Sequence, residues 1–251
     1  MIAVTNQKGG VGKTTTTVNL GAYLAKAGQK VLIIDLDPQG NASSGLGIDK
    51  NNLEKTLYDV LVDSAPLAEV THATHYKNLS IVPSSAILAA AEVELTQADH
   101  RESRLKAALQ DAPFDLIFID CPPSLGLLTI NGLVAAQRLL IPVQAEYYAL
   151  EGLGQLLATV GRVKQALNPQ LNLIGVVLTM HTARTSLSQA VAAEVEQHFP
   201  RQVFTTVIPR NIRLAEAPSH AKAIVDYDRF SKGARAYKAL AKEVLARVSQ
   251  T

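Results

Sequence analysis

The residues that most restrict this chain are Asn6–Thr17, NQKGGVGKTTTT. They follow a short apolar run, Ile2-Ala3-Val4-Thr5, and lead into a helical pattern that begins at Lys13. A strand, a glycine loop and a helix in that order form a cradle for phosphates. The glycines let backbone N–H groups turn inward, and the helix N-terminus adds its positive end. Gly9, Gly10, Val11 and Gly12 supply the loop, and Lys13, Thr14 and Thr15 open the helix. At this spacing Lys13 reaches the β- and γ-phosphates and the Thr14 hydroxyl reaches Mg2+. The general motif begins with a glycine five residues before its second one. Here that place is Gln7, and a second lysine, Lys8, stands ahead of the glycines. What Lys8 is for decides which kind of nucleotide protein this is.

The rest of the chain suits a core large enough to carry such a loop. It is 251 residues long, 47% hydrophobic and 18% charged, and it lacks Trp. Its core must therefore be built mainly from Val, Ile, Leu and Ala. Short apolar runs are expected as strands at Ile2–Asn6, Lys30–Asp35, Leu79–Pro83, Asp115–Asp120, Leu139–Gln144, Leu173–Thr179 and Val203–Ile208. Most are continuous rather than alternating, as in parallel strands buried on both faces. Helical patterns lie between them, at Lys13–Lys26, Ala86–Glu94, His100–Asp111, Leu125–Gln137, Leu150–Leu167, Leu187–Phe199 and Lys232–Val248. This alternation predicts an α/β fold, a doubly wound and mostly parallel sheet flanked by helices. With no repeat or linker, residues 1–251 are expected to form one domain. The single cysteine, Cys121, rules out an intrachain disulfide and fits a reducing cytoplasm. No signal peptide fits before the first strand, and no apolar run approaches the roughly 18–20 residues of a membrane span.

Carboxylates complete the chemistry, because Mg2+-assisted phosphoryl transfer needs acids near the metal and near the attacking water. Asp120 ends the apolar run Leu116–Ile119, at a strand tip that faces the phosphates if that strand lies beside the first. Asp35 ends the second strand, and Asp37 stands two residues on, where Pro38 and Gly40 enforce a turn. A loop carboxylate held this way can orient a water toward the γ-phosphate. A dinucleotide fold would also place an acid at Asp35. That fingerprint wants a third glycine where Thr15 stands, however, and it gives Lys13 nothing to do. No Gly-x-Ser-x-Gly elbow supports a serine hydrolase. His72 and His75 have no third ligand nearby and read as surface residues.

These motifs resemble the ParA/MinD group of deviant Walker-A ATPases, and within it the ParA (Soj) branch. Lys8–Thr14 matches the deviant phosphate loop. Asp35–Asn41 resembles switch I, and Asp120-Cys121-Pro122-Pro123-Ser124 resembles Walker B with switch II. Pro142–Gly152 and Ile208–Ser219 are more specific to the ParA branch. The resemblance covers nearly the whole chain. It implies a P-loop NTPase of the deviant Walker-A type that uses ATP and Mg2+ and sandwiches ATP between two subunits. Lys8 would reach across the homodimer to the partner's phosphates, much as an arginine finger acts in trans. Lys8, Lys13 and Asp37 would be catalytic, with Asp37 placing the hydrolytic water. Thr14 would ligate Mg2+, with Asp35 and Asp120 holding its waters, and Pro209 and Asn211 would line the adenine pocket.

The resemblance also implies partners. Arg184 and Arg213 match the arginines with which ParA dimers grip DNA, and Lys222 is expected beside them. Charge counting points the same way. Residues 1–180 hold 13 Lys/Arg against 16 Asp/Glu, whereas residues 181–251 hold 11 against 6. A cytoplasmic, nucleoid-associated ATPase is expected, which binds double-stranded DNA without sequence preference and is stimulated by a ParB/Spo0J-type protein. Two alternatives remain open: a MinD-like membrane regulator of division, and a nucleotide-gated DNA-binding module that hardly hydrolyses. Against the first, the pattern 237–248 has Ala, Leu and Val at helical spacing but no Phe or Trp, which predicts a helix packed on the core. The chain begins at its first strand, so no helix-turn-helix extension and no operator-specific repression are expected.

Overall fold

The computed structural model of the protein describes residues 1–146, 149–182 and 185–249, with residues 149–151 as backbone only. Its strands are β1 (Ile2–Val4), β2 (Val31–Asp35), β3 (His72–Ala73), β4 (Leu79–Val82), β5 (Leu116–Asp120), β6 (Arg138–Gln144) and β7 (Asn172–Thr179). They form one seven-stranded sheet in the order β3-β4-β2-β5-β1-β6-β7. Only β3 is antiparallel to its neighbour. Side chains alternate across the sheet, as strand geometry requires. Ile2, Val4, Val31, Ile33 and Phe118 join one apolar cluster, while Ala3, Leu32, Ile34, Ile117 and Ile119 join the other. The first cluster is covered by helices Lys13–Lys26 and Lys232–Ser249. The second is covered by helices that include Leu57–Leu61, Leu88–Glu94 and Leu127–Ala135. The continuous apolar runs are thus buried on both faces, in the doubly wound arrangement expected.

Helix Lys13–Lys26 lies close against β2. A Cβ at Gly21 would stand 2.8 Å from the Ile33 Cδ1, so only glycine permits this approach. The last helix packs Tyr237, Leu240, Ala241 and Val244 into the core. Its Tyr237 hydroxyl meets the Thr16 hydroxyl of the loop helix at 3.1 Å. The apolar stripe expected to pack on the core does so. No helix among the described residues is long and apolar enough to cross a membrane.

Two expected elements differ. Val203–Ile208 does not form a strand; it touches β7 through the Val176–Val203 bridge and leaves the ladder between. The cause lies in the last helix. The Glu243 carboxylate accepts the Thr205 and Thr206 N–H groups at 2.9 and 3.1 Å, which turns those donors away from the sheet. Phe204 N–H and Ile208 N–H still donate to β7 carbonyls, so the segment closes the sheet edge irregularly. The helix expected at His100–Asp111 shrinks to Arg104–Ala108, because His100 and Asp111 both adopt positive φ. Short helices at Asn41–Gly45, Ile212–Glu216 and Ile224–Tyr227 carry no long periodicity and escape a reading by pattern.

The topology sets the site. β1 lies between β5 and β6, and β5 lies between β1 and β2. In register, Asp120 pairs with Val4 on one side and with Asp35 on the other. The loop after β1 and both strand-end acids therefore meet at the carboxyl edge of the sheet, where open α/β folds bind ligands.

Candidate nucleotide and catalytic site

The loop from Asn6 to Gly12 is held at its ends and open in its middle. Asn6 Nδ2 donates to the Pro142 carbonyl at 2.7 Å, and Thr179 Oγ1 donates to the Val11 carbonyl at 2.8 Å. Gly10 and Gly12 have φ of 73° and 88°, a left-handed conformation that side chains with a Cβ avoid. Gly12 caps helix Lys13–Lys26 with no side-chain hydrogen bond, so the first-turn N–H groups stay available to an anion. Gly9, Gly10, Val11, Gly12, Lys13, Thr14 and Thr15 are thus brought into one arc.

The two lysines occupy opposite environments. Lys13 is 7% exposed, and its ammonium donates back to the Lys8 carbonyl at 3.3 Å. Burial lowers its pKa, opposed by the nearby charges of Asp120 and Asp37. Lys8 points out of the loop and is part-exposed. Its Nζ lies 3.4 Å from the Glu146 carboxylate, which Arg210 also approaches at 3.2 Å.

Behind the loop stand two buried acids. Asp35 Oδ2 accepts from the Ser43 N–H and hydroxyl at 2.8 and 2.7 Å. Asp120 Oδ1 accepts from the Thr17 hydroxyl at 3.1 Å. The other oxygens, Asp35 Oδ1 and Asp120 Oδ2, are buried without any hydrogen-bond partner. Burial, and to a lesser degree a neighbouring carboxylate, raises both pKa values, to about 6 for Asp35 and about 8 for Asp120. Two orphaned carboxylate oxygens beside a threonine hydroxyl are an all-oxygen donor set that fits a hard divalent cation such as Mg2+. Asp37 is 7% exposed. Its Oδ1 accepts from the Gln39 N–H at 2.9 Å and its backbone carbonyl from Gly40, so the turn fixes the carboxylate.

A cavity of about 410 Å³ adjoins the loop at Gly12 and Thr15 and is lined by Thr179, Pro209, Arg210 and Asn211. The expected base-pocket residues Pro209 and Asn211 are therefore next to the phosphate loop. Asn211 also caps helix Ile212–Glu216, its Oδ1 accepting from the Arg213 N–H at 2.8 Å.

A family model described as an AAA domain matches residues 1–173. The sporulation initiation inhibitor protein Soj of Bacillus subtilis is 57% identical over 248 residues, covering 98% of both chains. The chain belongs to the ParA/Soj family of chromosome-partitioning ATPases. The chromosome-partitioning ATPase Soj of Thermus thermophilus is 50% identical and covers 99% of this chain and 96% of its own. Among solved structures, a cobyrinic acid a,c-diamide synthase from Mycobacterium smegmatis with bound ATP analog and magnesium superposes with a TM-score of 0.87. Its identity is 38%, covering 99% of this chain and 95% of that one.

The ParA/Soj motifs account for the groups gathered at the loop and strand ends but not for those that hold them. Sequence reasoning missed Ser43 under Asp35, Thr17 under Asp120, Thr179 under Val11 and Glu146 under Lys8. Thr17 alone carried a signal, being one turn after Lys13 in the Thr run. The expected DNA residues are less gathered. Arg213 is half-exposed beside the base cavity. Lys222 is exposed and lines a separate cavity of about 300 Å³ next to Thr14 and Thr15. Arg184 lies outside the described residues, as do Tyr147 and Tyr148 of the branch-specific motif. Cys121 is buried beside Asp120, and burial pushes its thiol pKa up.

The acid pair makes a test. A carboxyl whose folded pKa is raised holds its proton more tightly than the unfolded chain does. Its favourable contribution is complete below about 3.8 and is lost as pH climbs through about 6 for Asp35 and about 8 for Asp120. Without nucleotide and in EDTA, the protein should therefore lose stability between those values. Asp120→Asn should raise the melting temperature at pH 8 by roughly 2–4 °C or more. It should also flatten the pH dependence seen in thermal denaturation. An unaltered profile would mean that burial does not penalise the charged form of Asp120 in this way.

Proposed function

We propose that residues 1–251 form a single P-loop ATPase domain that binds ATP and Mg2+ and dimerises around the nucleotide. In that state it binds DNA without sequence preference, and it releases DNA after hydrolysis. The observation that carries this reading is the opposed placement of the two lysines. Lys13 is turned inward to serve a nucleotide in its own subunit. Lys8 stands part-exposed on the outer edge of the loop, paired only loosely with Glu146, where a phosphate arriving from outside can take it over.

Thr14, Asp35 and Asp120 would hold the Mg2+, directly or through its waters. When bound, the ion supplies charge stabilisation at the β- and γ-phosphates. Loop N–H groups and Lys13 bind the phosphates, Pro209 and Asn211 flank the base, and Asp37 orients the attacking water. Lys8 of each subunit neutralises charge on the other's nucleotide. A dimer then presents two copies of the basic segment, which doubles the phosphate contacts. A ParB-type protein would stimulate hydrolysis, and the site of action is the cytoplasm and nucleoid. The synthase activity named for the M. smegmatis structure is a different one; full-length identity of 57% to Soj favours partition.

A gel shift with ATP, ADP and no nucleotide, read beside light scattering, tests the proposal. ATP alone should give both the dimer and the shift, and equal shifts in all three conditions would overturn it. Arg213→Ala should weaken binding to all duplexes alike while ATP-driven dimerisation persists. Each phosphate contact contributes about 0.9 to the slope of log K against log salt, so losing the arginine from both subunits should flatten that slope by up to roughly 2. If the variant instead raises the ATP dissociation constant at an unaltered slope, Arg213 braces the base pocket and not DNA.

A further inference from the structure

The guanidinium of Arg213 is already occupied. Its Nη1 lies 2.9 Å from Glu216 Oε2, and its Nε lies 3.7 Å from Asp228 Oδ2. The Tyr227 hydroxyl donates to the same Glu216 oxygen at 3.0 Å, and Tyr227 stacks on His220 with ring centroids 5.0 Å apart. The Glu216 carboxyl is held below its usual pKa, first by Arg213 and then by Tyr227. Two carboxylates therefore bracket one arginine, and this small cluster is net negative. Asp226, on the same short helix as Tyr227, is turned elsewhere and pairs with Lys26. Elsewhere in the C-terminal segment Arg210 pairs with Glu146 and Arg247 with Glu243, each facing one carboxylate of the described residues rather than two. Lys222, Arg229, Lys232, Arg235, Lys238 and Lys242 form no ion pair among the described residues.

A phosphate is gripped by the same fork of N–H donors that grips a carboxylate. The donors that face the two carboxylates are not free for a phosphate until those contacts loosen. We propose that Glu216 and Asp228 are an internal counter-anion that masks Arg213, so that DNA phosphate must compete with the carboxylates for the arginine. The inference rests on the DNA reading of Arg213 and adds a regulator to that surface. Because an exposed ion pair is weak, the mask is easily exchanged for phosphate once a dimer supplies many contacts together. Each subunit bears one such exchange, so a dimer makes two and the mask lowers its affinity at both arginines. The mask thus tempers the dimer's grip on DNA, and no part of the basic segment has to move.

Glu216→Gln removes the bracket's shorter arm and keeps its shape. The ATP-bound variant should bind a random duplex about 3- to 10-fold more tightly than wild type. With ADP its binding should rise by a smaller factor, because a monomer carries one unmasked arginine where the dimer carries two. Asp228→Asn, at the longer contact, should act in the same direction and less strongly. The decisive comparison adds Arg213→Ala to Glu216→Gln. If the gain disappears in the double variant, Glu216 acts through Arg213. If the gain survives, it is a general effect of removing negative charge, and the mask is overturned. Weaker DNA binding by Glu216→Gln would make Glu216 a positioning group for Arg213 and would also overturn it. Arg213→Ala alone separates the two layers: normal DNA affinity there would remove the DNA reading of Arg213, and the mask with it. Unaltered dimerisation and ATP turnover in Glu216→Gln and Asp228→Asn, and unaltered thermal denaturation in the variants that lack Arg213, show that the fold is intact.

Discussion

Asp37→Ala should lower ATP turnover by about 10²–10⁴-fold, the range for losing a group that assists proton movement at the attacking water. Nucleotide binding should survive. Lys13, Asp120 and Asp35 are anchored by Lys8, Thr17 and Ser43 respectively, and none of these contacts runs through the Asp37 carboxylate. The turn itself should persist, because the Asp37 carbonyl still accepts the Gly40 N–H at 2.8 Å. The expected product is an ATP-bound dimer that stays on DNA. Phosphate release and dimer mass should be measured on the same sample. Turnover at the wild-type rate would take Asp37 out of the chemistry.

Lys8→Ala should reduce hydrolysis as far or further, by about 10³–10⁵-fold if Lys8 acts as fingers in trans do. It should also abolish ATP-dependent dimerisation while leaving nucleotide binding by each subunit. In the single subunit Lys8 rests on Glu146, 3.4 Å away, and both side chains are part-exposed. Such a pair is worth about 0–1 kcal/mol, so it holds the lysine in place without preventing its transfer to a phosphate. Light scattering with ATP decides the matter. A full-sized dimer from the variant would show that Lys8 is an ordinary surface lysine.

The two lysines also show how far the chain could be read from its residues. Glycines, lysines and threonines in fixed order after an apolar run determine a phosphate loop, because the required backbone conformation and the helix N-terminus are local properties. The continuous apolar runs determine a buried parallel sheet for the same reason: each strand carries its own pattern of burial on both faces. Local rules end where a partner arrives from far along the chain. Val203–Ile208 has the composition of a strand, yet Glu243 takes two of its N–H groups and the ladder is lost. Asp35 and Asp120 each read as a strand-end acid. Only the strand order makes them neighbours, and only burial leaves one oxygen of each without a partner. Ser43 and Thr179 have no motif to announce them, because their role is defined by the groups they touch, and the branch motif that contains Glu146 says nothing of its contact with Lys8. Arg213 divides between the two. Its neighbour Glu216, three residues on in the same short helix, is a local pair, whereas only the tertiary structure brings Asp228 to 3.7 Å from its Nε, because the chain must first turn back on itself.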